Sequence, residues 1–336
     1  MKALVITAPH RAEVQDVAPP QAVPGDVIVD VARAGICGTD LELFTGEMQY
    51  LQDGVTTFPL RIGHEWMGTV TAVGDGVDPG WIGRRVTGDT MLGCGACRRC
   101  RSGYQHVCAR RHELGIRDGR PGALAELLAV PASSLLALPE AVDDAAGALV
   151  EPGGNAFRAV EAAALGPGER VLIIGAGTIG LLCAMFAAAA GAEVHLLGRS
   201  SRSLEFARSL GFENVWTDDL LPVREWDAVI EASNGAAMPQ RAIELVEPGR
   251  RVVFVGLAGS PSMVDTRALA LADVTAVGVL SASPGLAGTI EAYASGAVRP
   301  NELVAATISL EELPEVLAGR RPDGATAGPK IHVRLG

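Results

Sequence analysis

The chain has 336 residues, a formal net charge of -11 and 48% hydrophobic residues. This length is sufficient for two domains with packed cores, and the acidity excludes a general nucleic-acid-binding surface, which requires clustered Lys and Arg. The sequence contains no run of about 18 apolar residues, the length that a membrane-spanning helix requires, and its first residues do not have the pattern of a signal peptide. We therefore expect a cytoplasmic protein that binds neither nucleic acid nor membrane.

The first part of the chain is predicted to form a β-domain. Short segments rich in β-branched residues alternate with Gly and Pro, which is typical of a small barrel or sandwich. The predicted strands are Met1–Thr7, Val27–Val31, Gly68–Gly74, Arg84–Val86 and Ala123–Val130.

The composition changes near Asp143, and the chain then alternates between strand and helix patterns. Such alternation predicts a doubly wound parallel sheet. We predict a β-domain over 1–151, an α/β domain over 152–288, and a tail over 289–336 whose strand returns to the first domain. The predicted strands here are Arg170–Ile174, Glu193–Leu197, Ala228–Glu231, Arg251–Val255 and Lys330–Arg334, and the predicted helices are Asp143–Glu151, Asn155–Leu165, Leu181–Ala190 and Leu204–Leu210.

Four of the six cysteines lie within fifteen residues, with the spacing C-x2-C-x2-C-x7-C. Four thiolates suit a closed tetrahedral zinc site that leaves no position for a substrate. A DNA-reading zinc module is disfavoured because no basic recognition helix follows. We therefore predict a structural zinc, with free or disulfide-linked cysteines as the alternative. The predicted ligands are Cys94, Cys97, Cys100 and Cys108.

A second metal site is predicted at Cys37, His64 and Glu151. Each of these residue types alone is common without a metal. A catalytic zinc, however, requires three protein ligands and one open position, and Cys, His and Glu would provide them with a net charge near zero. Such a zinc would polarise an alcohol or carbonyl oxygen.

A glycine-rich loop, GAGTIG, directly follows the predicted strand Arg170–Ile174 and precedes an apolar helix. The pattern G-x-G-x-x-G in this context indicates a dinucleotide-binding turn, in which the helix N-terminus faces the pyrophosphate. A glycine-rich turn without a ligand is the alternative. The residues of the loop are Gly175, Ala176, Gly177, Thr178, Ile179 and Gly180.

The residues after the next strand distinguish NAD from NADP. An Asp or Glu at that point would bind the ribose hydroxyls of NAD, but this chain has Gly198, followed by Arg199, Ser200 and Arg202. Arginine offers a planar fork to a phosphate and serine a hydroxyl. We predict NADP, with solvated arginines and NAD as the alternative.

Together these motifs resemble those of the zinc-dependent medium-chain dehydrogenase/reductase family, which includes alcohol, sorbitol, threonine and glucose dehydrogenases. The resemblance rests on GICGTD at 35–40, GHEWMG at 63–68, the four-cysteine segment, Glu151-Pro152 and the glycine loop, in the family's order. It covers essentially the whole chain. It implies an α/β protein with a GroES-like β-barrel catalytic domain and a Rossmann domain, and we expect a homodimer or homotetramer.

The resemblance also implies roles for single residues. Glu65 would be an adjacent or exchangeable zinc ligand, Thr39 would contact the substrate hydroxyl, and Asp40 would orient His64. Many family members have His five residues after the catalytic Cys, whereas this chain has Glu42, which leaves the proton exit open. The residues implied near the nicotinamide are Val255, Leu257, Leu280 and Ser281.

We therefore expect an oxidoreductase with two zinc ions per chain that moves a hydride between NADP and a secondary alcohol of the polyol, sugar or cyclitol type. An NAD-dependent alcohol dehydrogenase of the same family is the first alternative, and a non-catalytic zinc-stabilised nucleotide-binding protein is the second. Phe44, Glu47, Tyr50 and Trp66 flank the zinc motifs and are candidates to line the substrate pocket, with packing as the alternative for the aromatic side chains. Glu47 and Tyr50 could hydrogen-bond a polyhydroxylated substrate, which favours a sugar, polyol or cyclitol over a plain alkanol.

Overall fold

The structure, a computed structural model, describes residues 1–335 and divides into two compact units. The first comprises Met1–Glu151, Val304–Thr326 and the chain from Lys330 onward, and the second comprises Pro152–Leu303 and Ala327–Pro329. The return to the first unit thus begins at residue 304, later than the expected 289. The reason is an amphipathic helix over 286–294, which buries apolar side chains within the second unit.

The elements are numbered in chain order. The strands are β1 Lys2–Ala8, β2 Arg11–Asp16, β3 Asp26–Gly35, β4 Glu65–Val73, β5 Arg85–Gly88, β6 Met91–Leu92, β7 His112–Glu113, β8 Leu127–Pro131, β9 Leu135–Ala137, β10 Arg170–Ile174, β11 Glu193–Leu197, β12 Val215–Trp216, β13 Trp226–Glu231, β14 Val246–Phe254, β15 Thr275–Gly278, β16 Val304–Ser309 and β17 Lys330–Arg334. The helices are α1 Gly38–Thr45, α2 Gln49–Gln52, α3 Arg98–Arg101, α4 Asp144–Ala148, α5 Val150–Ala163, α6 Thr178–Ala189, α7 Ser201–Ser209, α8 Met238–Leu245, α9 Thr266–Leu271, α10 Leu286–Ala294 and α11 Leu313–Leu317.

The first unit is built on a sheet in the order β16-β17-β3-β4-β5-β9, with β8 also paired to β3. All neighbours are antiparallel except β16 and β17. The tail strand β17 lies beside β3, with His332 opposite Gly35. This pairing places the start of β17 next to the end of β3, where the first candidate ligand follows. The predicted helix over 143–151 ends earlier, at Ala148, and Glu151 lies instead in the first turn of α5.

The second unit contains a six-stranded parallel sheet in the order β12-β11-β10-β13-β14-β15. The chain runs outward from β10 on one side and then crosses to β13, so the topological switch point lies between these two strands. Ligands of doubly wound sheets bind at that point, beyond the carboxyl ends of the strands. The predicted fold class is confirmed. No helix within residues 1–335 is long and apolar enough to cross a membrane.

Candidate active site

The first candidate ligand, Cys37, lies at the junction of β3 and α1. Cys37 is the N-cap residue of α1, with extended backbone angles, and its backbone N–H donates to Oδ2 of Asp40 at 2.9 Å. An acid at this position of the first turn accepts an otherwise unpaired backbone N–H, as in a capping box. The helix start therefore fixes Cys37 and Asp40 relative to each other, and Asp40 is fully buried.

His64 lies in the turn before β4 and is almost completely buried. Its Nδ1 is 3.6 Å from Oδ1 of Asp40, an electrostatic contact that is too long for a hydrogen bond, and both atoms are buried without a hydrogen-bond partner. Burial lowers the pKa of His64, but Asp40 and Cys37 raise it by more, so that the pKa lies well above its ordinary value. The surroundings of His64 thus favour a positive charge.

Glu65 opens β4, opposite Gly35 of β3. A Cβ at position 35 would lie 2.2 Å from Oε2 of Glu65, so a glycine is required there to leave room for the carboxylate. Lys330 donates from Nζ to both carboxylate oxygens, at 2.8 and 2.7 Å, and to the carbonyl oxygen of Ile36 at 2.9 Å. Both side chains are buried. Lys330, one of only two lysines in the sequence, was missed as a site residue because it lies 265 positions from its partner.

Cys37, His64 and Glu65 form one candidate metal cluster, because their ligand atoms all lie within 4.8 Å of one another. A thiolate, an imidazole and a carboxylate are the donor types that zinc binds, and the unpaired polar atoms beside His64 fit a cation. Glu151 is buried in the first turn of α5 and is not among the three residues of this cluster. The predicted ligand set therefore differs from the observed cluster in its third member.

The four predicted structural ligands form a second candidate metal cluster. Tetrahedral zinc with bonds of about 2.3 Å separates its sulfur ligands by about 3.8 Å. The observed Sγ–Sγ distances include 3.5 Å for Cys97–Cys100, 3.8 Å for Cys97–Cys108 and 4.0 Å for Cys94–Cys100. Backbone N–H groups of the tight turn, together with the guanidinium of Arg110, lower the pKa of Cys94 to about 6. This geometry and this stabilised thiolate fit a closed zinc site.

The glycine loop turns from β10 into α6 at the switch point. Gly175 has φ +113°, and a Cβ there would lie 2.7 Å from the carbonyl oxygen of Ala232. A Cβ at Gly180 would lie 1.7 Å from the carbonyl oxygen of Gly175, so only glycine lets the helix approach the strand. Gly177 is the N-cap of α6 and faces open space. The first backbone N–H groups of α6, those of Thr178 and Ile179, can therefore bind an anion.

The segment after β11 has a packing constraint that sequence reasoning missed. A Cβ at Gly198 would lie 2.7 Å from Cδ2 of Leu204 and 3.3 Å from Cβ of Ala176. The hydroxyl of Ser200 caps α7 by accepting the N–H of Ser203 at 3.5 Å. Arg199 and Arg202 are exposed. Glycine at position 198 therefore leaves room for Leu204 of α7, in addition to leaving this position without the carboxylate that would bind the ribose of NAD.

The residues implied near the nicotinamide lie at or after the carboxyl ends of the last two strands. Val255 follows β14, and Leu257 and Leu280 are exposed. Ser281 is buried and has φ +65°, a left-handed backbone conformation that non-glycine residues rarely adopt. Ser281 Oγ pairs with Ser283 Oγ at 2.9 Å, and Arg158 donates to the carbonyl oxygens of residues 280 and 281. Strained backbone conformations that are maintained by surrounding contacts occur most often at functional sites.

Thr39, which lies two residues after Cys37, is half-buried, and its hydroxyl makes no hydrogen bond with any described residue. Phe44 and Trp66 pack in the core of the first unit. The hydroxyl of Tyr50 donates to Glu113 at 3.0 Å and accepts from Arg111 at 3.2 Å. This hydroxyl is therefore engaged within the protein, whereas that of Thr39 can contact a ligand.

Comparisons with known proteins agree with this geometry. The family model "alcohol dehydrogenase GroES-like domain" matches residues 23–140, and the model "zinc-binding dehydrogenase" matches residues 178–295. The L-threonine 3-dehydrogenase of Saccharopolyspora erythraea is 36% identical over 293 residues, which cover 83% of each chain. An alcohol dehydrogenase of Escherichia coli CFT073 complexed with NADH has a TM-score of 0.90 at 25% identity over 99% of both chains. A zinc-binding dehydrogenase of Sinorhizobium meliloti 1021 bound to NADP has a TM-score of 0.89 at 28% identity over 99% of this chain and 98% of that chain. The chain belongs to the zinc-dependent medium-chain dehydrogenase/reductase family, whose members are oxidoreductases acting on CH–OH groups.

Proposed function

We propose that this oxidoreductase moves a hydride between NADP and a secondary alcohol of the polyol, sugar or cyclitol type, with the ketone, or the lactone where the donor is a cyclic hemiacetal, as the product. The observation that carries the proposal is the cluster of Cys37, His64 and Glu65, with Thr39 two residues after Cys37 and its hydroxyl engaged by no described residue. A non-catalytic nucleotide-binding protein would not require such a hydroxyl beside a cluster of this kind.

Cys37 and His64, with Glu65 or Glu151, would hold a zinc ion, which would supply polarisation of the alcohol or carbonyl oxygen, and a dinucleotide at the glycine loop would supply or accept the hydride. The Thr39 hydroxyl accepts the hydrogen bond of the substrate hydroxyl and begins the proton path. Asp40 faces Nδ1 of His64 and holds the imidazole in place. Partial burial and the neighbouring Glu47 raise the pKa of Glu42, which favours proton uptake at the position where relatives have His.

We propose Glu151 as the third zinc ligand and Glu65 as an exchangeable one, because Lys330 occupies both oxygens of Glu65. The two candidates are separated by comparing Glu151→Ala with Glu65→Ala. The proposal predicts that only Glu151→Ala lowers the affinity for the catalytic zinc strongly. Full zinc occupancy and affinity in Glu151→Ala would assign the role to Glu65.

We propose NADP as the preferred dinucleotide because no carboxylate stands at Gly198 and because Arg199 and Arg202 are exposed beside it. A 2′-phosphate would gain charge-assisted hydrogen bonds from these arginines. The similar structures include one with NADH and one with NADP, so the preference depends on this segment of the present chain.

The substrate class is tested by an oxidation screen with NAD and with NADP. The panel contains polyols, aldoses, cyclitols, simple alkanols and L-threonine, because the Saccharopolyspora relative named above is an L-threonine 3-dehydrogenase and because L-threonine too is a secondary alcohol. The proposal predicts the highest kcat/KM for a polyhydroxylated substrate with NADP. A clear preference for L-threonine or for an alkanol would overturn the substrate class, and activity with none of them would favour the non-catalytic alternative.

We also propose a homodimer or homotetramer. Strand β15 lies at the edge of the parallel sheet and pairs only with β14 among the described strands. Leu271 and Met263, near this edge, are more than four-fifths exposed, and an uncovered sheet edge with apolar neighbours favours association. Light scattering after size-exclusion chromatography should give at least twice the chain mass, and Leu271→Arg should reduce it.

A further inference from the structure

Glu231, at the carboxyl end of β13, is a buried acid for which the proposed chemistry has no use. Only 1% of its surface is exposed. Its Oε1 accepts two hydrogen bonds from Ser233, one from the backbone N–H at 2.8 Å and one from the hydroxyl at 2.5 Å. The Ser233 hydroxyl in turn accepts the N–H of Gly235 at 3.2 Å. The side chain of Glu231 therefore stabilises the turn over 231–235 through hydrogen bonds inside the turn.

The same residue also fixes the turn after β14. The carbonyl oxygen of Glu231 accepts the N–H groups of Val255 and Gly256, at 3.0 and 2.9 Å. A Cβ at Gly256 would lie 2.0 Å from the carbonyl oxygen of Ser233 and 2.6 Å from Oε2 of Glu231. The two turns thus pack against each other with Glu231 between them, and no larger residue fits at position 256.

The cost of burying this acid indicates that its position matters. Within residues 1–335 no cation pairs with Glu231, and burial raises its pKa, while the bonds from Ser233 lower it by less. Removing a carboxylate from water without a counter-ion is unfavourable unless hydrogen bonds compensate. Both compensating hydrogen bonds come from Ser233, two residues further along the chain. The carboxylate therefore stabilises one particular conformation of the turn at this edge of the sheet.

The edge in question belongs to the second half of the doubly wound sheet. Such sheets consist of two mononucleotide-binding halves, and the glycine loop lies in the first half. Glu231 is the last residue of β13, and residues 255–256 follow β14, both in the second half. The two halves touch at the switch point, where the N–H of Ala232 donates to the carbonyl oxygen of Ile174 at 2.9 Å.

We propose that Glu231 is a positioning residue that fixes the turns 231–235 and 255–256 as the platform for the nicotinamide half of the dinucleotide. This inference rests on the proposed function, because it presupposes a dinucleotide at the switch point. The residue acts through Ser233 and Gly256 and does not take part in the reaction. Its loss should therefore weaken one half of the bound dinucleotide and spare the other.

The test compares Glu231→Ala with the conservative Glu231→Gln, whose amide oxygen can still accept from Ser233. Dissociation constants are measured without substrate for the dinucleotide that the wild type prefers and for its adenosine half, adenosine 2′,5′-bisphosphate or 5′-ADP. We expect Glu231→Ala to raise the Kd of the full dinucleotide about tenfold or more, the equivalent of one or two lost hydrogen bonds. The Kd of the adenosine half should change by less than about twofold, and Glu231→Gln should restore most of the affinity.

Three results would overturn the inference. One is an unchanged Kd for the dinucleotide in Glu231→Ala. Another is an equal loss for the adenosine half, which would indicate a general structural role. The third is a loss in Glu231→Gln as large as that in Glu231→Ala. If Glu231→Ala does not fold, Ser233→Ala takes its place, because it removes the hydroxyl that donates to Glu231 and accepts from Gly235, and the same comparison of the full dinucleotide with its adenosine half decides. Failure of the wild type to bind either dinucleotide would instead contradict the proposed function itself.

Discussion

The two candidate metal clusters of the first unit differ in chemistry and in the way the chain builds them. The four-cysteine cluster contains only thiols, is partly exposed and comes from one segment of fifteen residues. The Cys37–His64–Glu65 cluster combines three donor types and includes two buried ligands. It also depends on a lysine from the last strand of the chain. A closed set of identical ligands suits a structural metal, whereas a mixed buried set with fewer ligands suits a reactive one.

The contrast also concerns what the metal does for each cluster. The four thiols have few other partners, so a metal there replaces a core that the short segment cannot form. The second cluster lies on β3, α1 and β4, which are held by an extensive core without any metal. We therefore expect that loss of the first metal affects stability and that loss of the second affects turnover.

The largest effect is predicted for His64→Ala. Without this ligand the polarisation of the substrate oxygen is lost, which is worth several kcal/mol, so kcat/KM should fall by at least about 1000-fold. The Kd of the dinucleotide should stay within about twofold, because the glycine loop belongs to the other compact unit. Steady-state kinetics and a binding titration measure the two quantities. Turnover that persists in a variant shown to lack this zinc would sink the mechanism.

Cys97→Ser is predicted to act on stability. It removes one of four zinc ligands, so one zinc per chain should be released, and the Tm should fall by about 10 °C, since each kcal/mol corresponds to a few degrees in a domain of this size. Cys183→Ser is the matched control, because Cys183 is fully buried in the second unit, away from both clusters. Its zinc content should remain that of the wild type. Equal zinc contents in the two variants would contradict the assignment.

Lys330→Met tests the buried ion pair between Lys330 and Glu65, which distinguishes the second cluster from the first. It leaves the Glu65 carboxylate buried without a counter-ion, so the free energy of unfolding should fall by about 3–5 kcal/mol. The other lysine of the chain provides the control, because Lys2 also pairs with a glutamate, Glu311 at 2.6 Å, but on the surface. Lys2→Met should produce no measurable change. Urea unfolding measures both, and equal effects would show that burial of the pair is irrelevant.

The smallest effect is predicted for the choice of dinucleotide. Gly198→Asp with Arg199→Leu should shift kcat/KM from NADP toward NAD by about tenfold to a hundredfold, mainly through the KM of the dinucleotide, because the phosphate contributes nearly uniform binding. Gly198→Ala controls for the contact with Leu204 that any side chain there would make. A wild type with higher kcat/KM for NAD would show that the arginines are solvated surface residues.

Features whose pattern lies within one short segment were predictable from the sequence. Examples are the grouping of the four cysteines, the strand Arg170–Ile174 and the turn of the glycine loop into α6. Contacts between distant segments were not predictable, because no periodicity marks them. Lys330 was predicted as part of a strand, yet nothing in the sequence connects it with Glu65.

Some residues have two roles, of which the sequence reveals only one. From the sequence, Gly198 was interpreted only as a position without the carboxylate that favours NAD. Its close contact with Leu204 is a packing requirement that depends on the position of α7. Glu231 was predicted only as the end of a strand, because its partners become apparent when the turns after β13 and β14 meet. Helix boundaries were also misplaced, since the break at Leu149 falls between Gly147 and Pro152, both of which lie inside helices.

The central claim is that the two clusters are two separate zinc sites, and the zinc content of purified, fully metallated protein tests it most directly. Elemental analysis should give two zinc per chain for the wild type and one each for His64→Ala and Cys97→Ser. The zinc remaining in Cys97→Ser should be the one that supports turnover. A wild-type content of one zinc per chain would contradict the account.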